Sequence, residues 1–505
     1  RIGNFIEGSR NMSKIMLIAV ILIPVPTGVL VPVIPFRKRR HMEVFLEAGV
    51  VFNTLLVWSL LGHRPTDSFI LAKFTGDLAI AFRVDGMGMV FAGLVSFLWP
   101  LATLFSFEYM TKEKHEKVFF MFYTITYGVT LGIALADNIL TMYFFYELLT
   151  LVTVPLVMHT LTREAILASR KYLYYSLGGA AFAFIGMIFV IIYGNTTEFV
   201  LGGVLDVGKI GDRTNILLLI YVIAFMGFGV KAAVCPFNSW LPQAGVAPTP
   251  VTALLHAVAV VKAGAFAIIR LTFYSFGTDF LKGTWAQYTV MAVVMFTIMY
   301  GCSRAVKETH LKRRLAYSTI SNLSYILFGV TIMTPLGMTG ALTHMVFHAF
   351  MKICSFFCAG AIMYRTEKHY IYELDGLGRR MPWVFGIFTI SSLALMGVPG
   401  LAGFISKWNL AYAAVESGNT LAYFGIGCLL VSALLTAIYM LSIVIRAFFP
   451  PADFDENTGK EFSDPNWKML LPLIVFAVAI ICFGLFSSPV VGFFRDVADG
   501  YYNVV

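Results

Sequence analysis

Long apolar runs separated by short polar connectors recur along the whole chain. A helix needs roughly 20 apolar residues to cross about 30 Å of hydrocarbon, and about fourteen windows of that kind, bounded by charge, Gly and Pro, can be placed on the sequence. The windows lie near residues 15–35, 43–62, 86–108, 118–136, 138–160, 170–193, 215–235, 249–274, 286–303, 315–333, 337–364, 384–413, 421–447 and 468–488. The pattern therefore predicts an all-α polytopic membrane protein with about fourteen transmembrane helices.

Two of these windows are too rich in breaking residues to form continuous helices. Pro and Gly cluster around residues 231–250, from the end of the seventh window onward, and around 394–408 in the twelfth. A broken helix in a membrane needs protein or a polar cavity around its freed backbone groups. We therefore expect spans 7 and 12 to be interrupted beside a polar interior.

Composition excludes a soluble enzyme. Of the 505 residues, 58% are hydrophobic and only 13% charged, about half the charged share of a soluble domain. The sequence holds no phosphate or dinucleotide loop, and its cysteines form no CxxC pair, so we predict no cofactor, metal, disulfide or iron–sulfur cluster. The net charge of +9 comes from dispersed basic residues, which indicates a membrane surface as the partner and no nucleic acid.

The basic residues predict the topology. About 22 of the 37 Lys and Arg residues lie in connectors after odd-numbered spans, against about six after even-numbered spans. By the positive-inside rule the odd connectors are cytoplasmic, and both termini then lie on the outer side. The opening residues show no cleavage pattern of a signal sequence, so we expect none to be removed.

Several ionisable residues fall inside the apolar windows, where a charge is costly and commonly marks an ion path. They are Glu147, Lys231, His256, Lys262, His344, His348, Lys352 and Lys407. For any one of them, a structural ion pair or a side chain that reaches the interface is an equal alternative. Taken together they favour a proton path, because lysine changes its proton affinity strongly with burial and with a carboxylate partner.

Spacing adds detail to this path. His344, His348 and Lys352 follow one another at intervals of four residues and share one helix face, which suits a relay but also suits a polar stripe packed on another helix. His256 and Lys262 are six residues apart and should face different partners. Lys231 and Lys407 stand beside the two breaks, five spans apart, as a five-span repeat would place them, although the two stretches are otherwise little alike.

Five motifs resemble one known family. The stretch VKAAVCPFNSWLPQAGVAPTPVTALLHAVAVVKAG, from Val230 to Gly264, closely resembles the signature of antiporter-like subunits. Such subunits are shared by respiratory complex I, Mrp-type sodium/proton antiporters (subunits of the Mrp-D type), and membrane-bound hydrogenases with their sulfur-reducing relatives. The match is reinforced by FYELL, RRLAYSTISNLSYI, HMVFHAFMKICSFFCAGA and GVPGLAGFISKW, and it runs in order over roughly residues 80–450.

The resemblance implies a fold of two inverted five-helix repeats, each a half-channel. The regions implied are helices 1–3 in residues 1–110, the first repeat (helices 4–8) in 111–275, the second (helices 9–13) in 276–450, and a loop with helix 14 in 451–505. In this family the residue matching Glu147 pairs with that matching Lys231. The chain then continues through the positions of Lys262 and His348 to that of Lys407.

The function implied is translocation of protons, sodium ions or both, in a multisubunit respiratory-type complex of a prokaryotic plasma membrane. Redox chemistry or cation exchange in partner subunits would drive it. The partners would include further antiporter-like subunits and peripheral redox subunits. Sodium could use carboxylates such as Asp85 or Asp137.

The sequence also departs from the family and leaves alternatives open. Asn238 stands where many relatives have a histidine, and the long lateral helix of the most distal complex I subunit is not expected, which favours the shorter Mrp and hydrogenase members. A self-sufficient secondary transporter of a small solute would equally permit broken helices. A structural subunit that has lost transport is the third possibility, but none of the expected polar positions is empty.

Overall fold

The computed structural model describes residues 13–65, 67–451 and 462–502. Arg1 and Arg10, counted in the predicted topology, and Lys460 of the predicted loop lie outside these residues. Numbered in chain order, the helices of ten residues or more are α1 Ser13–Val33, α2 Arg39–His63, α3 Gly86–Lys112, α4 Glu116–Ala134, α5 Ile139–Val157, α6 Arg163–Tyr193, α7 Val207–Gly229, α8 Thr249–Phe276, α9 Trp285–Lys307, α10 Leu311–Thr331, α11 Pro335–Thr366, α12 Pro382–Met396, α13 Ala402–Glu416, α14 Thr420–Phe448, α15 Trp467–Leu485 and α16 Ser488–Ala498.

The predicted class, an all-α polytopic membrane protein, is confirmed. Within the described residues, twelve helices are long and apolar enough to cross a membrane. The other two predicted spans fall on α10, which opens with three consecutive basic residues, and on the pair α12–α13. The count of about fourteen spans and the two inverted repeats stay predictions.

The chain is interrupted at both predicted places. α7 ends at Gly229, and turns, the short helix Trp240–Gln243 and the 3₁₀ helix Ala244–Val246 lie between it and α8. The indole Nε1 of Trp240 donates to the carbonyl of Val230 at 2.8 Å and so holds this break together. Between α12 and α13, Gly397 and Gly400 have φ of 95° and 89°, a backbone conformation that glycine adopts without strain.

Two local features were not predicted. Residues 63–85 lie between two predicted spans, and they contain an antiparallel hairpin of β1 Phe69–Lys73 and β2 Ala79–Phe82. In α8, the segments Leu254–Val258 and Arg270–Phe276 are π-helical. Such wide turns often occur at functional sites.

The basic connectors meet on one face of the molecule. Arg39 Nε lies 2.8 Å from Glu116 Oε2, and Lys112 Nζ donates to the carbonyl of Tyr364 at 2.5 Å. These residues come from the ends of helices that flank odd-numbered connectors, so we call this side the basic face. On the opposite side, Arg83 Nε lies 2.9 Å from Asp137 Oδ1.

The centre of the bundle is formed by α8 and α11. Every residue in the most apolar part of each is buried, whereas α1, α2, α14 and α15 keep most of theirs at the outer surface. A polar side chain on α8 or α11 must therefore find its partner inside the protein. These two helices carry five of the eight candidate residues.

Candidate functional site

Lys231 begins the line of buried polar groups, directly at the break after α7. Its side chain is fully buried, and its Nζ lies 3.9 Å from Oε1 of Glu147 on α5. The Nζ also donates to the carbonyl of Tyr146 and lies 3.3 Å from the centroid of that ring. Glu147 Oε1 is buried without a hydrogen-bond partner in the described part of the chain. The ion pair is therefore present but loose, and the lysine is held mainly by its backbone and aromatic neighbours.

The middle of the line lies on α8. Lys262 Nζ is 2.7 Å from Nδ1 of His348 on α11. Two residues further along α8, a Cβ on Gly264 would lie 2.6 Å from the backbone nitrogen of Ala232. The missing side chain thus lets the Lys231 break pack directly against α8, next to the Lys262–His348 pair.

The three regularly spaced residues of α11 contact three different helices. His348 contacts Lys262 on α8, His344 Nδ1 lies 2.9 Å from Oγ of Ser406 on α13, and Lys352 Nζ donates to Oγ of Ser318 on α10 at 2.8 Å. The two imidazole rings are 5.5 Å apart, centroid to centroid. His344 and His348 therefore form a continuous stretch, and Lys352 is directed away from it.

Lys407 ends the line at the second break. Its Nζ donates to the carbonyls of Leu395 and Met396 at 2.7 and 2.9 Å, at the end of α12 where the helix leaves carbonyls free. The same Nζ lies 5.4 Å from the ring centroid of Tyr325, whose ring is 5.2 Å from that of His344. The break thus supplies the backbone acceptors that hold a cation inside the membrane.

His256 lies apart from these contacts. It is fully buried in the first π-helical segment of α8, with its ring 4.8 Å from that of Phe356. In the described residues neither of its ring nitrogens has a hydrogen-bond partner, and the same holds for the side-chain nitrogen of Asn238 in the first break. Such orphaned buried groups are rare in proteins, and a catalytic role or a bound water or ion is a usual explanation for one.

The charges along the line do not balance. Lys231, Lys262 and Lys352 are fully buried. Within the described part of the chain, Lys231 has a carboxylate within 4 Å, that of Glu147, and the other two lysines have none. An unpaired charge in a protein interior is costly. The line therefore favours holding fewer protons than it has basic groups, which is what a proton relay requires.

Two carboxylates named as sodium candidates are instead paired with arginines. Arg270 in the last turns of α8 binds Asp85 through two contacts, Nη1 to Oδ2 at 2.5 Å and Nη2 to Oδ1 at 2.7 Å. Asp137 contacts Arg83. Arg270 is not among the candidate residues predicted from the sequence. The available signal was a third ionisable residue in α8, after His256 and Lys262, and one Asp just before α3.

Comparison with known proteins identifies the family. Residues 136–436 match the transmembrane family described as NADH:quinone oxidoreductase/Mrp antiporter. The chain belongs to this family. The matched region contains every candidate residue, from Glu147 to Lys407.

Individual members of the family are similar over most of the chain. NAD(P)H-quinone oxidoreductase chain 4-3 of Nostoc sp. is 28% identical over 464 residues, which cover 88% of this chain and 79% of the relative. A chain of the Mrp complex from Dietzia sp. has the same fold, with a TM-score of 0.83 at 20% identity over 97% of this chain and 98% of that one. A chain of the membrane-bound sulfane sulfur reductase, an archaeal respiratory membrane complex, gives 0.83 at 21% identity over 96% and 97%.

These findings confirm the resemblance drawn from the five motifs. The chain is a multi-pass membrane protein of the antiporter-like type, and the similar chains of known structure belong to multisubunit complexes.

Proposed function

We propose that this chain is an ion-translocating subunit of a multisubunit membrane complex and that it moves protons along a buried line in the middle of the membrane. The line consists of Glu147, Lys231, His256, Lys262, His344, His348, Lys352 and Lys407. Family membership supports the general role. The contacts among these side chains support the route.

The contact between Lys262 and His348 carries the proposal. Its 2.7 Å separation joins an amine on α8 to an imidazole on α11, the two helices at the centre of the bundle. An ammonium that donates to a neutral imidazole can pass its proton along that hydrogen bond, after which the lysine is neutral and the histidine is charged. No charge is created, and the proton has moved from the first predicted repeat to the second.

Lys231 supplies the switch. Its Nζ is held by the Tyr146 carbonyl and lies 3.9 Å from Glu147, one short movement from full contact. When the carboxylate closes on the ammonium, the attraction keeps the proton on Lys231. When the carboxylate moves away, the unpaired buried ammonium is destabilised and gives its proton toward Lys262.

The second half of the route runs from His348 to His344 and then along α13 to Lys407. The imidazoles are 5.5 Å apart, and Ser406, bonded to His344, directly precedes Lys407 in the chain. Lys352 and His256 lie nearer to the basic face than His344 and His348 do, because α11 ends at that face and α8 begins there. We assign them to proton entry from that face.

We further propose how the chain is divided, how it lies in the membrane and which subunits drive it. Residues 111–275 and 276–450 act as two half-channels, flanked by regions 1–110 and 451–505. The membrane is the plasma membrane, with the basic face toward the cytoplasm and both termini outside, as the excess of Lys and Arg in odd connectors favours. Further antiporter-like subunits and peripheral redox subunits drive the transport, and the complexes of the similar chains support this arrangement.

A coupling experiment on the intact complex tests the route. Lys262→Met, His348→Gln and the double variant are assayed for ion pumping in inverted membrane vesicles, with co-purification as the check on assembly. Each single change should lower pumping by about a hundredfold or more, since proton transfer by a positioned group contributes that much. The double variant should be no worse than either single one, because both break one step.

Lys282→Met, a change at an exposed connector lysine, is the matched control and should pump normally. Full pumping by either single variant would contradict the route. Repeating the assay with and without sodium, and with a proton conductor, identifies the ion that is moved.

A further inference from the structure

Glu47 on α2 is a membrane-level carboxyl that the lysine line does not use. Its Oε2 is buried without a hydrogen-bond partner, and in the described residues no basic nitrogen lies within 4 Å of it. Glu43, one turn earlier, is the opposite case: it contacts Arg39 Nη1 at 2.6 Å and Lys468 Nζ at 2.8 Å. Two acids four residues apart therefore stand in contrasting environments.

Contacts between α1 and α2 place Glu47 within the membrane layer. Thr27 of α1 packs against Gly49, and Asn53 donates through Nδ2 to the carbonyl of Val20 at 3.1 Å, so the two helices run antiparallel. At eight residues beyond Arg39, Glu47 is about 12 Å along the helix from the basic face. The flanking Val44 is 61% exposed on the outer surface, where lipid would contact it.

Other unpartnered polar groups lie on α2 and on the nearby helices α3 and α4. Across the described chain, the buried atoms without a hydrogen-bond partner include Asn53 Oδ1 further along α2, Trp99 Nε1 on α3, and Tyr123 OH and Thr124 Oγ1 on α4. Thr124 faces Gly28 of α1, next to the residue that packs on Gly49, and Tyr123 lies within electrostatic range of Glu47. The rings of Trp99 and Tyr123 are 5.5 Å apart.

The ionisable groups near Glu47 cannot neutralise a carboxylate there. On its own helix they are Glu43 and Arg39, and Arg39 is committed to Glu43 and Glu116. Lys468 of α15 is likewise committed to Glu43, at 2.8 Å. On α4 the group is the phenol of Tyr123. Residues 15–33 of α1 contain none, and α3 carries its ionisable groups at the basic-face end, beyond residue 107. Glu47 as a whole is half-buried, but a carboxylate there would keep Oε2 away from solvent and from any counter-charge, whereas a carboxylic acid is neutral and can donate a hydrogen bond.

We propose that Glu47 is a second proton-binding site of the chain, separate from the lysine line, and that it exchanges its proton with the basic face by way of Glu43. On release, the O–H bond of Glu47 breaks and the proton passes to a carboxylate oxygen of Glu43, one helical turn away. Glu43 then gives it to solvent at the basic face. Uptake follows the reverse order, and the total charge of the two acids and the proton is unchanged at each transfer.

Labelling with a hydrophobic carbodiimide tests this site on the intact complex in native membranes. The reagent reacts with a protonated carboxyl: the acid proton moves to a reagent nitrogen, the carboxyl oxygen bonds to the central carbon, and no atom is lost. Peptide mass spectrometry should find the adduct on Glu47 at least about tenfold more often than on the ion-paired Glu43. The yield on Glu47 should fall as the pH is raised and the Glu47 carboxyl loses its proton. Glu47→Gln should remove the adduct while the complex still co-purifies.

Several results would overturn the proposal. They are an unlabelled Glu47, equal labelling of Glu43, a yield that does not change with pH, or protection by sodium ions at fixed pH, which would mark a cation site instead. The pH profile of pumping should also shift in Glu47→Gln and return in Glu47→Asp, whereas a purely structural acid would leave the profile in place. Labelling in a Lys262→Met complex should be unchanged, so failure of the lysine line and failure of this site are distinguishable.

Discussion

At the scale of single residues, the buried lysines differ in what holds them. Lys231 has a carboxylate at 3.9 Å, Lys262 an imidazole at 2.7 Å, and Lys407 two backbone carbonyls at 2.7 and 2.9 Å. A carboxylate neutralises an ammonium, an imidazole can accept its proton, and a carbonyl only solvates it. The direction of proton transfer therefore depends most on Lys231. Its partner Glu147 is the one negatively charged group among these, so its approach neutralises the ammonium and its withdrawal leaves the ammonium unpaired.

Glu147→Gln tests this dependence. The amide keeps the size of the side chain but cannot attract the Lys231 ammonium as a charge, so the switch is lost while packing is retained. Coupled ion pumping in inverted vesicles should fall by about a hundredfold or more, with normal co-purification of the complex. Glu198→Gln, which removes a half-exposed acid paired loosely with Arg83 at 3.4 Å, should pump normally. A Glu147→Gln complex that pumps as well as this control would contradict the switch.

At the scale of elements, periodicity and breakers predicted most of the architecture. Apolar windows placed the long helices, and clusters of Pro and Gly placed the interruptions after Gly229 and Met396. The β-hairpin was missed because Phe69–Lys73 and Ala79–Phe82 are too short to give a clear alternation. The π-helical segments of α8 depend on packing around the helix, which no local pattern records.

The sequence names the members of the candidate site, and the resemblance to the family implies the Glu147–Lys231 pair and the order Lys262, His348, Lys407, but the other contacts were not predicted. Charges in apolar windows are visible in the sequence, and they pointed to every lysine and histidine of the line. Helical spacing placed Lys352 on one face with His348, yet a long side chain can turn to another helix, and Lys352 bonds to Ser318. Glu47 was overlooked because it lies near the start of its window, where an acid resembles an ordinary helix end.

The first break depends on close packing against α8, which Gly264→Ala would disturb. The added Cβ would lie 2.6 Å from the nitrogen of Ala232 and 3.0 Å from the carbonyl carbon of Lys231, and neither backbone atom can rotate away. The break must shift, and a displacement of about 1 Å can cost about a hundredfold in a positioned reaction. Gly386→Ala is the control, because its Cβ would meet nothing within 4 Å. Equal pumping rates in the two variants would show that the break has room to adjust.

At the scale of the whole molecule, polar groups are arranged around the central pair α8 and α11. Contacts from these helices reach the first break, α10 and α13, so both halves of the chain contribute to one line. The basic connectors meet on one face, and the Arg270–Asp85 pair fastens the other end of α8 to the start of α3. In the described residues, no group of three or more His, Cys, Asp or Glu side chains could hold a metal ion. Because the similar chains belong to multisubunit membrane complexes, we expect the driving force to come from other subunits.

Dependence on partner subunits distinguishes the two functions that broken helices permit, a partner-driven subunit and a self-sufficient transporter. A subunit driven by its partners should be silent when purified alone into proteoliposomes, whereas a self-sufficient transporter should move its solute there. We expect the isolated chain, under an imposed proton or sodium gradient, to show no more flux than liposomes carrying the Lys231→Ala variant, because the Glu147–Lys231 pair has no subunit to open it. The same protein reassembled with its partners should pump on addition of their substrates or of sodium. Coupled flux through the isolated chain that Lys231→Ala abolishes would contradict the subunit role and favour the self-sufficient transporter.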